Sequence, residues 1–207
     1  MPNLVLIDEK TLLKAVKILK KGGIIAYPTE TFYGLGVDAI NKKSVERLYK
    51  LKERDTLKPI PILIGNLSML GLVVKEIPEV AEKLIKRFWP GPLTIIFYAS
   101  TNIPSLLTAN TQKIGVRISS NPIAQKILKL FASPITATSA NISLGISATS
   151  PKEIIDYFGD KVDMILDGEK LESTHPSTVI DITVSPPQIV REGIIPRETI
   201  EEYLWQR

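Results

Sequence analysis

The sequence predicts an α/β fold: a single domain over residues 1–207, with a twisted, open, partly mixed sheet and flanking helices. Short apolar runs that read as strands alternate with helix-periodic segments from end to end, the order that marks this class. No internal repeat, low-complexity tract or linker-like charge run breaks the alternation. For 207 residues, 44% hydrophobic and 23% charged, one sizeable core is the default.

The elements follow in chain order. Residues 4–7 read as a strand. Leu12, Leu13, Val16 and Leu19 recur at helical spacing, so a helix is expected over 10–21, stopped by Gly22-Gly23. Ile24-Ile25-Ala26 reads as a buried strand, and Asn41 as the N-cap of a helix reaching about Lys52. The run 60–64 is a strand despite Pro61, which argues for an edge or a bulge. A helix over 78–88 has Pro at its start and ends at Trp89-Pro90-Gly91-Pro92. Strands at 93–98 and 114–118, a helix over 122–131 and a strand at 135–138 come next. The last third adds a helix over 151–158, strands at 162–166, 178–182 and 188–191, and a helix from Pro196 to about Leu204.

Composition narrows the chemistry. Without cysteine there is no disulfide frame, thiol nucleophile or thiolate metal site. His175 is the single histidine, which excludes zinc held by several imidazoles. Its polar loop favours a solvated role over a Ser-His-Asp arrangement. The remaining vocabulary of Lys, Arg, Asp, Glu, Ser, Thr and Tyr suits anions, and any metal would be a hard cation held by oxygens. A net charge of +4 agrees with anionic substrates or weak, transient RNA contact. No apolar run approaches the roughly 20 residues of a membrane span, and no apolar stretch as long as a signal peptide's core follows the start, so secretion is not expected. The expected compartment is the cytoplasm, with no membrane partner.

The richest segment is Tyr27 to Ala39, where Thr29, Glu30, Thr31, Phe32 and Tyr33 follow directly on a strand. Ligands of open α/β sheets bind at such strand ends. Pro28 removes a backbone donor, and Gly34 and Gly36 are read as allowing positive φ and close ligand approach. A binding site is predicted in preference to a plain turn.

Lys50, Lys52, Arg54 and Lys58 gather at a helix end and in its loop. A solvated helix terminus is the plain alternative, but the loop returns into a strand that aims these cations at the same sheet edge. Arg117 stands among β-branched neighbours and must meet an anion or form a structural salt bridge. Thr136 to Ser143, with Gly145 and Ser147, is either a donor-rich phosphate cradle or an ordinary Ser/Asn turn. Ser177 and Arg191 add a hydroxyl and a cation at further strand ends. The P-loop pattern is absent. Gly34 to Ala39 matches GxGxxA, but six residues separate it from the strand and no helix starts within it, so a dinucleotide site is a weak reading.

Seven segments in order resemble the YrdC-type family: Tyr27-Pro28-Thr29-Glu30-Thr31 with Tyr33-Gly34-Leu35-Gly36; Leu51-Lys52-Glu53-Arg54 with Lys58-Pro59; Trp89-Pro90-Gly91-Pro92-Leu93-Thr94; Gly115-Val116-Arg117; Thr138-Ser139-Ala140-Asn141; Ser177-Thr178-Val179-Ile180-Asp181; and Arg191-Glu192-Gly193. The resemblance covers nearly the whole chain. It implies a large basic cavity and a nucleotidyltransferase that joins L-threonine, bicarbonate and ATP into threonylcarbamoyl-AMP, with Mg²⁺ as cofactor. The adenylate would feed the transferase proteins that modify tRNA adenosine. By matching position, Thr31, Arg117, Ala137 and Ser177 would hold threonine. Arg54, Lys58, Lys113, Ser139, Asn141, Ser147 and Arg191 would meet ATP. Lys52 and Arg54 would be catalytic, with no metal-ligating set and no visible general base.

Asp55 departs from the family's usual proline, and Leu63 stands where some members place a histidine. The chain resembles the short form, without an extra C-terminal domain. Two rivals remain: a basic module that docks structured RNA, and a domain that uses carbamoyl adenylate, as in hydrogenase maturation.

Overall fold

Side-chain caps set where the helices begin. The Asn41 side chain accepts from Ser44 N at the start of α2 (Lys42–Leu51). Asn121 does the same for Ile123 and Ala124 N at α5 (Pro122–Phe131). Ser150 and Glu153 form a reciprocal capping box at α6 (Pro151–Phe158). These signals are local, which is why the sequence placed these helices closely. The computed structural model describes residues 3–143, 145–173 and 175–205.

The remaining helices are α1 (Glu9–Lys20), α3 (Leu70–Val73), α4 (Glu79–Phe88) and α7 (Arg197–Trp205). The strands are β1 (Leu4–Leu6), β2 (Ile25–Tyr27), β3 (Gly34–Gly36), β4 (Ile62–Leu63), β5 (Leu93–Tyr98), β6 (Lys113–Arg117), β7 (Ile135–Thr136), β8 (Thr138–Ser139), β9 (Met164–Asp167), β10 (Thr178–Asp181) and β11 (Gln188–Arg191). They form two mixed sheets rather than the one expected. One runs β1-β9-β2-β3-β8 and the other β11-β10-β5-β6-β4-β7. The α/β class and the flanking helices stand.

The division has a local cause. The run read as one strand over 135–138 breaks at Ala137. Ile135 pairs with Leu63 in one sheet, whereas Thr138 pairs with Leu35 in the other. Between them Ala137 N donates to Pro61 O at 2.8 Å. Pro61 is therefore neither at an edge nor in a bulge. It enters β4, an interior strand between β6 and β7, just before pairing begins and serves only as an acceptor.

β3 went unpredicted because Gly-Leu-Gly has little strand propensity. Its glycines have a packing reason. Neither has a positive φ. A Cβ on Gly36 would lie 2.8 Å from Tyr27 Cε1, and one on Gly34 3.1 Å from Tyr27 Cζ. The buried Tyr27 ring lies across the hairpin, and its hydroxyl donates to Thr136 O at 2.8 Å.

One apolar cluster gathers residues of both sheets, including Leu35, Ile62, Ile95 and Val116. A second joins Leu12, Val16 and Leu19 of α1 and Ile127 and Leu128 of α5 to Ile25, Tyr27 and Met164 of the five-stranded sheet. Among the described residues no helix is long and apolar enough to cross a membrane.

Candidate functional site

The turn from β2 into β3 carries the first wall of the site. Thr29 Oγ1 accepts from Thr31 N at 3.1 Å, donates to Phe32 O at 2.7 Å and lies 2.9 Å from Thr31 Oγ1. This small network fixes both hydroxyls. Glu30 turns toward the other sheet, where Arg117 at the end of β6 gives Nη1 to Glu30 Oε1 at 2.5 Å. Ser119 Oγ donates to the other carboxylate oxygen. Arg117 thus forms the structural salt bridge that was one of its two readings, and it also lines the cavity described below.

The second wall comes from the end of α2. Glu53, with φ 50, takes the left-handed position just past the helix. Glu53 N donates to Lys50 O and Arg54 N to Tyr49 O, the two bonds of a Schellman ending. This turn buries Lys52 and leads Arg54 to the cavity. Lys52, 1% exposed, gives Nζ to Ser139 O and Asn141 O at 2.6 Å each and to Asn141 Oδ1 at 3.3 Å. Three acceptors match the three donors of an ammonium. Burial, then the Arg54 charge, pulls the Lys52 pKa from 10.5 down to about 7. Arg54 is held by Lys58 O at 3.1 Å and Pro59 O at 2.9 Å. Within this loop Asp55 Oδ1 accepts from Leu57 N at 2.9 Å, a local turn bond.

The third wall is the entry to β10 and the end of β11. Arg191 donates through Nε and Nη2 to Ser177 O, at 3.1 and 2.9 Å, and through Nη2 to Ser177 Oγ at 3.0 Å. Ser177 Oγ also lies 2.9 Å from Thr94 Oγ1. Burial, then Arg117, lowers the Arg191 pKa. Gly193 allows this approach: a Cβ there would sit 2.1 Å from Pro176 O. Gly193→Ala must push the Pro176–Ser177 backbone aside, at a cost of roughly 1–3 kcal/mol. The expected result is a lower melting temperature, read by calorimetry.

These walls enclose an open cavity of about 170 Å³. Of the residues predicted from sequence, Thr31, Arg54, Arg117, Ala137, Ser139, Ser147, Ser177 and Arg191 line it together. Lys52 and Asn141 lie buried beneath the wall, where Asn141 Oδ1 also accepts from Ser139 Oγ at 2.6 Å. Lys58 is exposed in its loop. Lys113 does not line the cavity either, and its Nζ is 3.0 Å from Asp181 Oδ2. Leu63 is fully buried in the apolar core. Sequence reasoning gave no site role to Phe32, Tyr33, Pro61 or Thr94, which line the cavity, nor to Ser119. Tyr33 was legible as part of the hydroxyl-rich stretch; its hydroxyl donates to Glu169 O and accepts from Gly168 N.

The site therefore presents three guanidinium groups and several hydroxyls, with the Glu30 carboxylate paired to the guanidinium of Arg117. Arg117 acts on Arg191, and Arg54 on the buried Lys52, as like charges brought together. Such pairs are costly alone and are relieved by anions bound between them.

Comparison with known proteins agrees in extent. The Sua5/YciO/YrdC family model, described as "Telomere recombination", matches residues 17–193. A threonylcarbamoyl-AMP synthase of Pyrococcus abyssi (strain GE5 / Orsay) is 39% identical over 198 residues, 96% of this chain and 58% of that protein. One of Vibrio vulnificus (strain YJ016) is 34% identical over 184 residues, 88% of this chain and 98% of that protein. The crystal structure of P. abyssi Sua5 complexed with L-threonine superposes with a TM-score of 0.94 at 38% identity, covering 98% of this chain and 60% of that one. The chain thus spans little more than half the archaeal relative but nearly all of the bacterial one.

Proposed function

Since the chain belongs to the Sua5/YciO/YrdC family, we propose that it forms L-threonylcarbamoyl-AMP and pyrophosphate from L-threonine, bicarbonate and ATP. Relatives over nearly the whole chain bear the name of that activity. The observation that carries the reading is the grouping of cations into two sets, Arg117 with Arg191 and Lys52 with Arg54. A reaction that joins two anions needs two such sets.

On this reading the threonine carboxylate lies between Arg117 and Arg191, beside the hydroxyls of Thr31 and Ser177 and the small Ala137. The triphosphate lies toward Arg54, Ser139 and Ser147. Lys52 and Asn141 shape the turn that begins at Ser139 from beneath. Lys58 and Lys113 lie outside the cavity and reach ATP only if their side chains swing inward. The amine of threonine adds to carbon dioxide and loses a proton, or adds to bicarbonate and water leaves, and either route gives the carbamate. A carbamate oxygen then attacks the α-phosphorus, the bond to the β-phosphate oxygen breaks, and pyrophosphate leaves. Fixed guanidinium groups stabilise the charge that gathers on the phosphates.

The donor set does not suit a resident Mg²⁺, because no group of three carboxylates or imidazoles converges among the described residues. The ion belongs with the nucleotide as substrate, and no step depends on a protein ligand for it. Residues 1–207 act as one unit in the cytoplasm, and the adenylate passes to the proteins that complete the tRNA modification. Weak RNA contact fits the basic balance.

The test is mass spectrometry of the products from ATP, labelled bicarbonate and threonine, compared with carbamoyl phosphate in place of the last two. Labelled threonylcarbamoyl-AMP is expected. A carbamoyl adenylate alone would replace this reading with the hydrogenase-type chemistry, and no adenylate would leave the RNA-docking module.

A further inference from the structure

We propose that Glu30 is a positioning residue for the amino-acid end of the cavity: its carboxylate, held in turn by Ser119, keeps the Arg117 guanidinium aimed at the substrate carboxylate. The inference deepens the reading above and rests on it.

Three observations carry it. Both oxygens of Glu30 are engaged, one by Arg117 Nη1 at 2.5 Å and the other by Ser119 Oγ. Both charged side chains are shielded, at 7% exposure for Arg117 and 15% for Glu30. Arg117 lines the cavity, whereas Glu30 stands behind it. A guanidinium has five donors in a fixed fork, so a carboxylate holding Nη1 leaves the others pointing in a set direction.

Charge counting gives the pair a second effect. Arg117 and Arg191 supply two positive charges and Glu30 one negative, leaving one, the match for a single carboxylate. Without Glu30 the two guanidinium groups would face each other unopposed, and that end would favour a dianion such as phosphate. The contact also ties the β2–β3 turn of one sheet to β6 of the other.

The test is calorimetric titration of threonine, and separately of a nonhydrolysable ATP analogue, into the full chain. Glu30→Gln is expected to raise the threonine Kd about tenfold, the scale of a lost charge-assisted hydrogen bond, with the analogue Kd changed by less than about twofold. In an Arg117→Lys background, Glu30→Gln should add almost nothing, because its effect runs through Arg117. Ser119→Ala leaves the ion pair in place and should raise the threonine Kd by about two- to fivefold. It carries the test if Glu30→Gln fails to fold. A threonine Kd unchanged in these variants, an equal loss for the analogue, or full additivity with Arg117→Lys would overturn the inference. Wild-type protein that binds no threonine would overturn the parent reading as well, so the two failures are distinguishable.

Discussion

Replacing Arg54 with alanine is expected to lower pyrophosphate formation from ATP, threonine and bicarbonate by about a hundredfold or more, roughly 3 kcal/mol of lost charge stabilisation. Arg54 lines the cavity at the end that the proposal gives to the nucleotide, and two carbonyls of its own loop hold it there. Its worth comes from being in place before charge develops. Arg54→Lys should recover little, because a lysine ammonium cannot serve both carbonyls and a phosphate in the same fork geometry. The fold should stay intact, since Arg54 contributes to no apolar cluster and the Schellman ending uses only its backbone N–H. The measurement is a steady-state pyrophosphate assay beside a thermal melt. Near-wild-type turnover would remove Arg54 from the chemistry.

Lys52→Met should have a similar effect on turnover by a different route. The ammonium does not line the cavity; it fastens Ser139 O, Asn141 O and Asn141 Oδ1 from below. Losing it releases the turn, while the methionine fills the space. Nucleotide affinity should fall at least tenfold, the scale of charged hydrogen bonds lost, with threonine affinity nearly unchanged. Removing a buried charge offsets part of the lost bonding, so the melting temperature should move by only a few degrees.

The same lysine makes the protein pH-sensitive. With its native pKa near 7 against 10.5 unfolded, the native state binds fewer protons than the unfolded chain between those values. Its contribution to stability therefore rises with pH across that window and is lost as pH falls through 7. A bound triphosphate beside Arg54 favours the charged amine. At pH 8, analogue binding should take up a proton, seen as a heat that depends on the buffer's ionisation enthalpy. Lys52→Met should show no such dependence.

The sequence carried more of the fold than of the site's wiring. Asn41, Asn121 and Ser150 announce their helices because a cap is written within four residues. The two sheets were not legible, because whether Ile135 to Ser139 is one strand or two depends on partners far off in sequence: Leu35 lies 103 positions before Thr138, and Leu63 lies 72 before Ile135. β3 was hidden by glycines that serve the Tyr27 ring. The cavity's cations could be found because they recur at strand and helix ends. Their depth could not: nothing in Lys50 to Arg54 says that Lys52 is buried and Lys50 exposed until the helix has packed. Glu30 was visible as a polar residue at a strand end, but its pairing with Arg117 spans 87 positions. Lys113 sits close in sequence to Arg117 yet faces Asp181, because four steps along β6 carry it to the far end of the strand.

The central claim is that one cavity holds two anions at once, an amino acid at Arg117 and Arg191 and a nucleotide at Arg54. Calorimetric titration of threonine into protein saturated with a nonhydrolysable ATP analogue tests it most directly. One threonine per chain is expected to bind in the presence of the analogue, at least as tightly as without it. Exclusion of threonine by the analogue would mean a single anion site and would contradict the account.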